Sequence, residues 1–286
     1  DQVLAITFTN KATREMKERI DGLVGHGSGV RVGTFHRTCL TMVREHHALL
    51  DLPSRLAIVS GSDQDRLFAR IHKDLSLDAD RCPPPAVSRE ISTAKNELVG
   101  PEEYALSALG NPLREDVSRA YTEYNRRLRE SGAVDLDDIL FEAHRLLHEN
   151  RAARARYHET IRYIHVDEYQ DTNKAQYQIT KYLAEGRKNL MVVGDPDQAV
   201  YGWRGADIRN ILGFERDYRE ARVITLDVNY RSTANIIRAA DAVIRNNTKR
   251  RPKSTLTPNA DGPLVNLYEA TNERDEAQFV VRTIRQ

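Results

Sequence analysis

Cysteine is almost missing from this chain: Cys39 and Cys82 are the only two, with no Cys-x-x-Cys pair and no His/Cys cluster. That excludes a disulfide scaffold and a zinc site, and the adjacent His46 and His47 lack partners at metal-ligand spacing. Long apolar runs are missing too, so no segment reads as a membrane span, and no signal peptide precedes the first strand. An excess of one charge sign is also lacking. The 43 basic and 42 acidic side chains give a net charge of +1, so any nucleic-acid surface must be local. A phosphate-gripping Gly-x-x-x-x-Gly-Lys-Ser/Thr loop is nowhere in the 286 residues. Gly22, Gly25, Gly27 and Gly29 imitate one, but they follow a helical pattern instead of a strand and read as a plain connection. The remaining balance, 40% hydrophobic and 30% charged, is that of a globular protein with ample core. The cytoplasm is the expected compartment.

What is there alternates. Val3–Phe8 reads as a buried strand and Lys11–Ile20 as a helix, with Ala12, Met16 and Ile20 on one face. Val30–Phe35 is a second strand and His36–Leu50 a second helix. From Leu52 to Ala133 strand signals fade. Helical patterns at Asp63–Leu75, Ala86–Glu97 and Leu113–Leu128 dominate, interrupted by Pro83-Pro84-Pro85. Asp135-Leu-Asp-Asp-Ile139 opens a helix to Asn150, its acids serving as caps or as something more. Ile161-Arg-Tyr-Ile-His-Val-Asp-Glu-Tyr-Gln-Asp171 then runs from β-forming residues into two adjacent acids. A helix at Asn173–Ala184 and strands at Asn189–Val193, Arg222–Leu226 and Leu264–Tyr268 follow. Thr233–Asn246 and Glu273–Arg285 are helical, and Lys249–Lys253 is a basic loop, either a solvated face or a phosphate contact. The opening in a strand without Met and the ending in a helical pattern suggest a piece of a longer protein. The expected fold class is α/β, a parallel sheet carrying an all-helical insertion.

Parallel strands deliver ligand-binding groups at their carboxyl ends. Asp167 and Glu168 stand at such an end, where one acid suits a divalent metal and the other a water; the bland alternative is an acidic cap. Thr7–Asn10, Thr34–His36 and Asp195–Gln198 are further polar strand ends, and Asn229–Arg231 adds an arginine beside an aromatic. Phosphoryl transfer needs this inventory, and a well-placed arginine contributes roughly 10³–10⁵ in rate. Tyr201 and Trp203, the only tryptophan, lie among Arg204 and glycines. They suit stacking on unpaired bases, with Phe8 as a third member, unless Trp203 is ordinary core.

Taken together these residues resemble the UvrD/PcrA/Rep group of superfamily 1 DNA helicases over essentially the whole chain. Thr7-Phe-Thr-Asn-Lys-Ala12 is similar to motif Ia, and Gly33-Thr-Phe-His36 to motif Ib. Val166-Asp-Glu-Tyr-Gln-Asp171 resembles motif II, Val193-Gly-Asp-Pro-Asp-Gln-Ala-Val-Tyr-Gly-Trp-Arg-Gly-Ala206 motif III, and Asn229-Tyr-Arg-Ser-Thr233 motif IV. The resemblance implies a RecA-like P-loop NTPase fold in four stretches. Residues 1–51 and 134–222 would form the first core domain, 52–133 a helical insertion, and 223–286 the start of a second core domain. It implies ATP and Mg²⁺ as cofactors and single-stranded DNA and its junctions with duplex as partners. Asp167 would hold the metal, Glu168 activate water, Gln198 sense the terminal phosphate, Arg231 act as an arginine finger and Tyr230 stack on adenine. Phe8, Tyr201 and Trp203 would pack on bases, while Asn10, Thr34, His36 and Arg204 would contact the strand's backbone.

Two residues depart from the family pattern. Leu136 stands in place of the usual Phe in Asp-Phe-Asp-Asp, and Val228 in place of a common Gln. Motifs V and VI are absent along with the phosphate loop, so these 286 residues alone are expected not to hydrolyse ATP. The implied activity is that of a 3′-to-5′ helicase in DNA repair or replication. The alternatives are a subunit of a RecB/AddA-type helicase-nuclease and a non-catalytic scaffold for single-stranded DNA.

Overall fold

The computed structural model describes residues 2–27, 29–248, 250 and 253–285. They fall into two compact units, 1–219 and 220–286.

In the first unit, β1 (Val3–Thr7) leads into α1 (Asn10–Val24), and β2 (Arg31–Thr34) into α2 (Phe35–Glu45). Thr9 and Thr34 cap the two helices, their hydroxyls accepting the N–H groups of Ala12 and Arg37. Such caps explain why each strand passes abruptly into a helix. Gly22, expected in the glycine connection, belongs to α1, because one glycine within an otherwise helical run costs only about 1 kcal/mol. The second helix stops at Glu45 instead of Leu50. His47–Leu50 tightens into a 3₁₀ turn closed by Asp51 in a left-handed conformation.

A helical insertion follows: β3 (Ala57–Ile58), α3 (Ser62–Asp74), α4 (Pro84–Asn96), α5 (Pro101–Ala108), α6 (Pro112–Glu130) and β4 (Ala133–Val134). Two-residue strands β3 and β4 pair in parallel at its two ends; they are too short to carry a period in sequence. The proline run starts a helix and breaks none, since α3 has already ended at Asp74. Pro84 and Pro85 occupy the first turn of α4, where a missing N–H and a fixed φ are tolerated. Phe68, Val87, Ile91, Tyr104, Tyr121, Tyr124 and Leu128 form the centre of this insertion's own apolar cluster.

The chain returns through α7 (Leu136–Glu149), α8 (Arg151–Thr160), β5 (Tyr163–Val166), α9 (Lys174–Ala184), β6 (Leu190–Val192) and two single-turn helices, α10 (Arg209–Leu212) and α11 (Phe214–Asp217). The main sheet has the order β2-β1-β5-β6, with every pair parallel. Leu4, Ile6, Ile164 and Val166 are buried with Phe35, Val43, Leu140, Leu147, Ile179 and Leu183 from α2, α7 and α9. This near-continuous apolar strand pattern is that of a covered parallel sheet.

The second unit contains α12 (Ala234–Ile244) and α13 (Glu273–Ile284). The strands expected at Arg222–Leu226 and Leu264–Tyr268 are absent there. These segments have β-forming side chains but no ladder among the described residues, and Ile224, Leu226, Leu264 and Leu267 are exposed. Among the described residues of this unit the one β-pairing is an isolated parallel bridge, Val228 to Leu256. Of the basic loop, Lys249, Arg251 and Pro252 lie outside the described residues. Among the described residues no helix is long and apolar enough to cross a membrane.

Candidate functional site

Strand register brings the predicted groups of the first unit to one edge. Thr7 pairs with Thr34, Ile6 with Val166, and Val166 with Val192. The carboxyl ends of all four parallel strands are therefore level, and the loops leaving them share the crevice where open α/β sheets take ligands.

Asp167 continues β5 by one bond, its N–H donating to Ile6 O. It is half-buried, and its Oδ1 accepts the Glu168 N–H at 3.0 Å. Burial pushes its carboxyl above the usual range; that backbone bond opposes the shift and the neighbouring Glu168 charge adds to it. Glu168 breaks the strand. It is exposed and left-handed, with φ 53° and ψ 43°, a conformation costing a non-glycine residue on the order of 1 kcal/mol. The turn throws its side chain out of the strand's alternation. Beyond it lies a buried polar run: Gln170, Asp171, Thr172 and Asn173.

Gln170 was not singled out from sequence. Its Nε2 donates to Glu168 Oε2 at 2.8 Å and to Asp171 Oδ2 at 3.2 Å, and its Oε1 accepts the Asp195 N–H at 3.0 Å. Asp195 Oδ2 in turn accepts Gln198 Nε2 at 2.7 Å, and its Oδ1 accepts the Asp197 N–H. Glu168 and Asp171 after β5 are thus joined through Gln170 and Asp195 to the Gln198 amide after β6. Gly194 makes the approach possible, since a Cβ there would lie 2.5 Å from Gln170 Oε1 and 2.8 Å from Ile211 Cδ1.

The residues present fit a magnesium ion. Mg²⁺ is usually held by one or two carboxylates plus substrate phosphates. No group of three or more metal-ligating side chains occurs among the described residues. Asp167 offers a half-buried carboxylate whose Oδ2 takes no hydrogen bond from a described residue, and a cation there would offset the crowding with Glu168.

The aromatic residues converge on the same edge. Phe8, just after β1, lies 5.1 Å from Tyr201, and Tyr201 lies 6.4 Å from Trp203, centroid to centroid. The Arg204 guanidinium sits 5.5 Å from the Tyr201 ring and 4.7 Å from that of Trp203. Trp203 is 75% exposed, so it is not core. Gly205 allows the turn to close at φ 82°. Asn10 is exposed at the start of α1. The Thr34 hydroxyl is occupied in capping α2, and His36 is half-buried. Burial lowers the His36 pKa, with Asp137 opposing.

Tyr230 and Arg231 belong to the second unit. Asn229 Oδ1 accepts the N–H groups of Arg231 and Ser232, forming a tight turn, while Asn259 Nδ2 donates to Tyr230 O and Ser232 O. Tyr230 is 77% exposed on this turn, and Arg231 is exposed beside it.

A second polar cluster escaped the sequence reading. Lys95 is buried in the insertion, with Nζ 2.8 Å from Asp135 Oδ2 and 2.7 Å from Asp138 Oδ1. The Tyr124 hydroxyl donates to Asp135 as well. Burial alone would lower the Lys95 pKa, but Asp138 and Asp135 outweigh it and hold the ammonium charged. Asp135 and Asp138 also form the capping box of α7, so capping and ion pairing coexist. The available signal was periodicity: Lys95 continues the Val87, Ile91 stripe at four-residue spacing, where an apolar residue belongs. Nearby, Asn96 donates to Asp137 and bonds Asn173, the cap of α9.

The chain is similar to known helicases along nearly all of its length. Residues 1–219 match the UvrD/REP helicase N-terminal domain and residues 224–286 the UvrD-like helicase C-terminal domain. Three similar proteins all bear the name ATP-dependent DNA helicase PcrA. That of Leuconostoc citreum is 44% identical over 100% of this chain and 38% of its own length. The Bacillus subtilis protein is 44% identical over 99% of the chain and 38% of its own length, and a Staphylococcus aureus protein 44% over 99% and 39%. The chain thus spans about two-fifths of the curated relatives it matches.

Proposed function

The chain belongs to the UvrD/REP helicase family, and from that premise we propose that it forms the strand-end half of the motor of an ATP-dependent DNA helicase, working in the cytoplasm in DNA repair or replication. The RecA-like parallel sheet supplies the platform. The observation that carries the reading is the loop from Asp195 to Arg204, which links both chemistries. Its first residues bond through Gln170 to Glu168, and its last set Tyr201 between Phe8 and Trp203, tilted against each.

On this reading Asp167 would hold Mg²⁺, which when bound neutralises charge on the transferred phosphoryl group. Glu168 orients and deprotonates the attacking water, and its position outside the strand leaves it open to that water. Gln198, anchored on Asp195, meets the terminal phosphate. Arg231 supplies a cation for the transition state, and the exposed Tyr230 ring stacks on the base. Phe8, Tyr201 and Trp203 stack on successive unpaired bases, and Arg204 and Asn10 bind the strand's phosphates. Movement along DNA runs 3′ to 5′, and the preferred substrate is a junction of single strand and duplex.

The test uses the complete protein that contains these residues. It should hydrolyse ATP faster when single-stranded DNA is added and should unwind duplexes with a 3′ tail but not those with a 5′ tail. Glu168→Gln should bind nucleotide and DNA yet lose most turnover; near-normal turnover in that variant would remove Glu168 from the base role. The 286 residues alone are expected to show no DNA-stimulated ATPase, and measurable turnover would refute that.

A further inference from the structure

We propose that Gln170 is a positioning residue that locks the Glu168 carboxylate to the DNA-facing loop, so that one buried amide sets the hydrolytic group and the aromatic array in a common register. The proposal rests on the ATPase reading above and deepens it.

Glu168 needs an external support. Its backbone has left the strand, so the ladder does not aim its side chain, and Gln170 Nε2 is the donor that holds Oε2, at 2.8 Å. The amide's other end is equally committed, because Oε1 accepts the backbone N–H of Asp195. That bond fixes the amide's orientation. A flipped amide would set its NH₂ against another donor and its oxygen against two carboxylates. Gln170 is 1% exposed, so unmaking any of these bonds leaves a buried polar group unpaired.

Only this side chain meets both demands. Glutamate would keep an acceptor for Asp195 but lose the donor to Glu168 and add a like charge beside it. Leucine fills the volume and makes neither bond. Gly194 leaves room for the amide, a Cβ falling 2.5 Å from its oxygen.

The loop is also pinned at its far end by the same short segment. Asp207 N donates to Thr172 O at 3.0 Å, and Asn210 Nδ2 donates to Thr172 O and Oγ1. Gln198, Tyr201 and Trp203 lie between these two anchors, with Phe8 packed against Tyr201. A shift of Glu168 as a phosphate leaves therefore reaches Asp195 through one amide, while the Thr172 anchor stays fixed and the loop pivots on it.

The experiment is done in the complete protein with Gln170→Leu and Gln170→Glu. Two readouts are compared: steady-state ATP hydrolysis with single-stranded DNA, and the change in affinity for a fluorescent oligothymidylate on adding a non-hydrolysable ATP analogue. Gln170→Leu should lower kcat about 10–100-fold, as loss of an orienting partner typically does, with little change in the KM for ATP. It should also abolish the nucleotide-induced change in DNA affinity. Gln170→Glu, which keeps the Asp195 bond but breaks the one to Glu168, should lower kcat similarly and lose that change too, while affinity for the oligonucleotide without nucleotide stays near wild type. If Gln170→Leu fails to fold, Gln170→Glu decides through the kcat-against-affinity split. Wild-type kcat in Gln170→Glu, or a general weakening of ATP and DNA binding with kcat intact, overturns the proposal. A wild type with no DNA-stimulated turnover removes the ATPase reading itself, whereas an active wild type matched by both variants removes this proposal alone.

Discussion

Residues 1–219 contain two buried regions built on different principles. The sheet core is filled by Leu4, Ile6, Ile164, Val166 and the helices over them, with polar groups pushed out to the strand ends. The helical insertion has its own apolar cluster but keeps an ammonium and two carboxylates at its junction with α7, all shut away from water. An apolar core loses stability step by step with the volume removed from it. A buried ion network does not tolerate losing one member, because the survivors stay charged without a partner. The difference teaches where each region is fragile: the sheet at its volume, the insertion at its charge.

The largest expected effect follows directly. Lys95→Met should cost about 3–5 kcal/mol of unfolding free energy by leaving Asp135 and Asp138 buried without a cation, read as a lower urea midpoint. Combining Lys95→Met with apolar replacements of both acids should recover much of that loss; no recovery would show that packing, not charge, holds this junction. In the sheet core, Ile164→Val removes one methylene and should cost only about 0.5–1.5 kcal/mol. A larger loss there than at Lys95 would invert the comparison.

The smallest effect concerns acid. His144, on α7, is pushed down from 6.5 to about 4 by burial, with the charges of His148 and Lys174 adding to the shift. The unfolded chain then takes up a proton that the folded chain refuses. The stability contribution is complete above pH 6.5 and is lost as the pH falls toward 4. Replacing His144 with asparagine should flatten the pH dependence of the unfolding midpoint in that window; an unchanged slope would clear His144 of the effect.

Much of this was readable in advance, for physical reasons. Val3–Phe8 and Ile161–Val166 read as strands because buried parallel strands are apolar on both faces, and both pair in the sheet. The first-unit strand ends were legible because capping threonines and adjacent acids follow the apolar runs directly. The segments at Arg222–Leu226 and Leu264–Tyr268 carry the same residue types yet form no ladder, because a strand is defined by its neighbour and propensity does not supply one. Gln170 was hidden for another reason. It lay inside a motif already noted for its acids, and nothing in one dimension shows that residue 170 meets residue 195. Lys95 was hidden because its partners lie 40 and more residues away. Hydrogen-bond networks of this kind are properties of the fold, and periodicity registers them only as an interruption.

Trp203 offers the most direct test that the strand-end edge is a DNA surface, since it is the only tryptophan in these 286 residues and three-quarters exposed. Titrating the 286-residue chain with oligothymidylate while following tryptophan emission isolates this one ring. Stacking predicts saturable quenching, and Trp203→Ala should weaken binding, followed by anisotropy of labelled DNA, by about 1–3 kcal/mol. Unchanged emission while anisotropy shows the same DNA fully bound would contradict the account and place the strand elsewhere on the molecule.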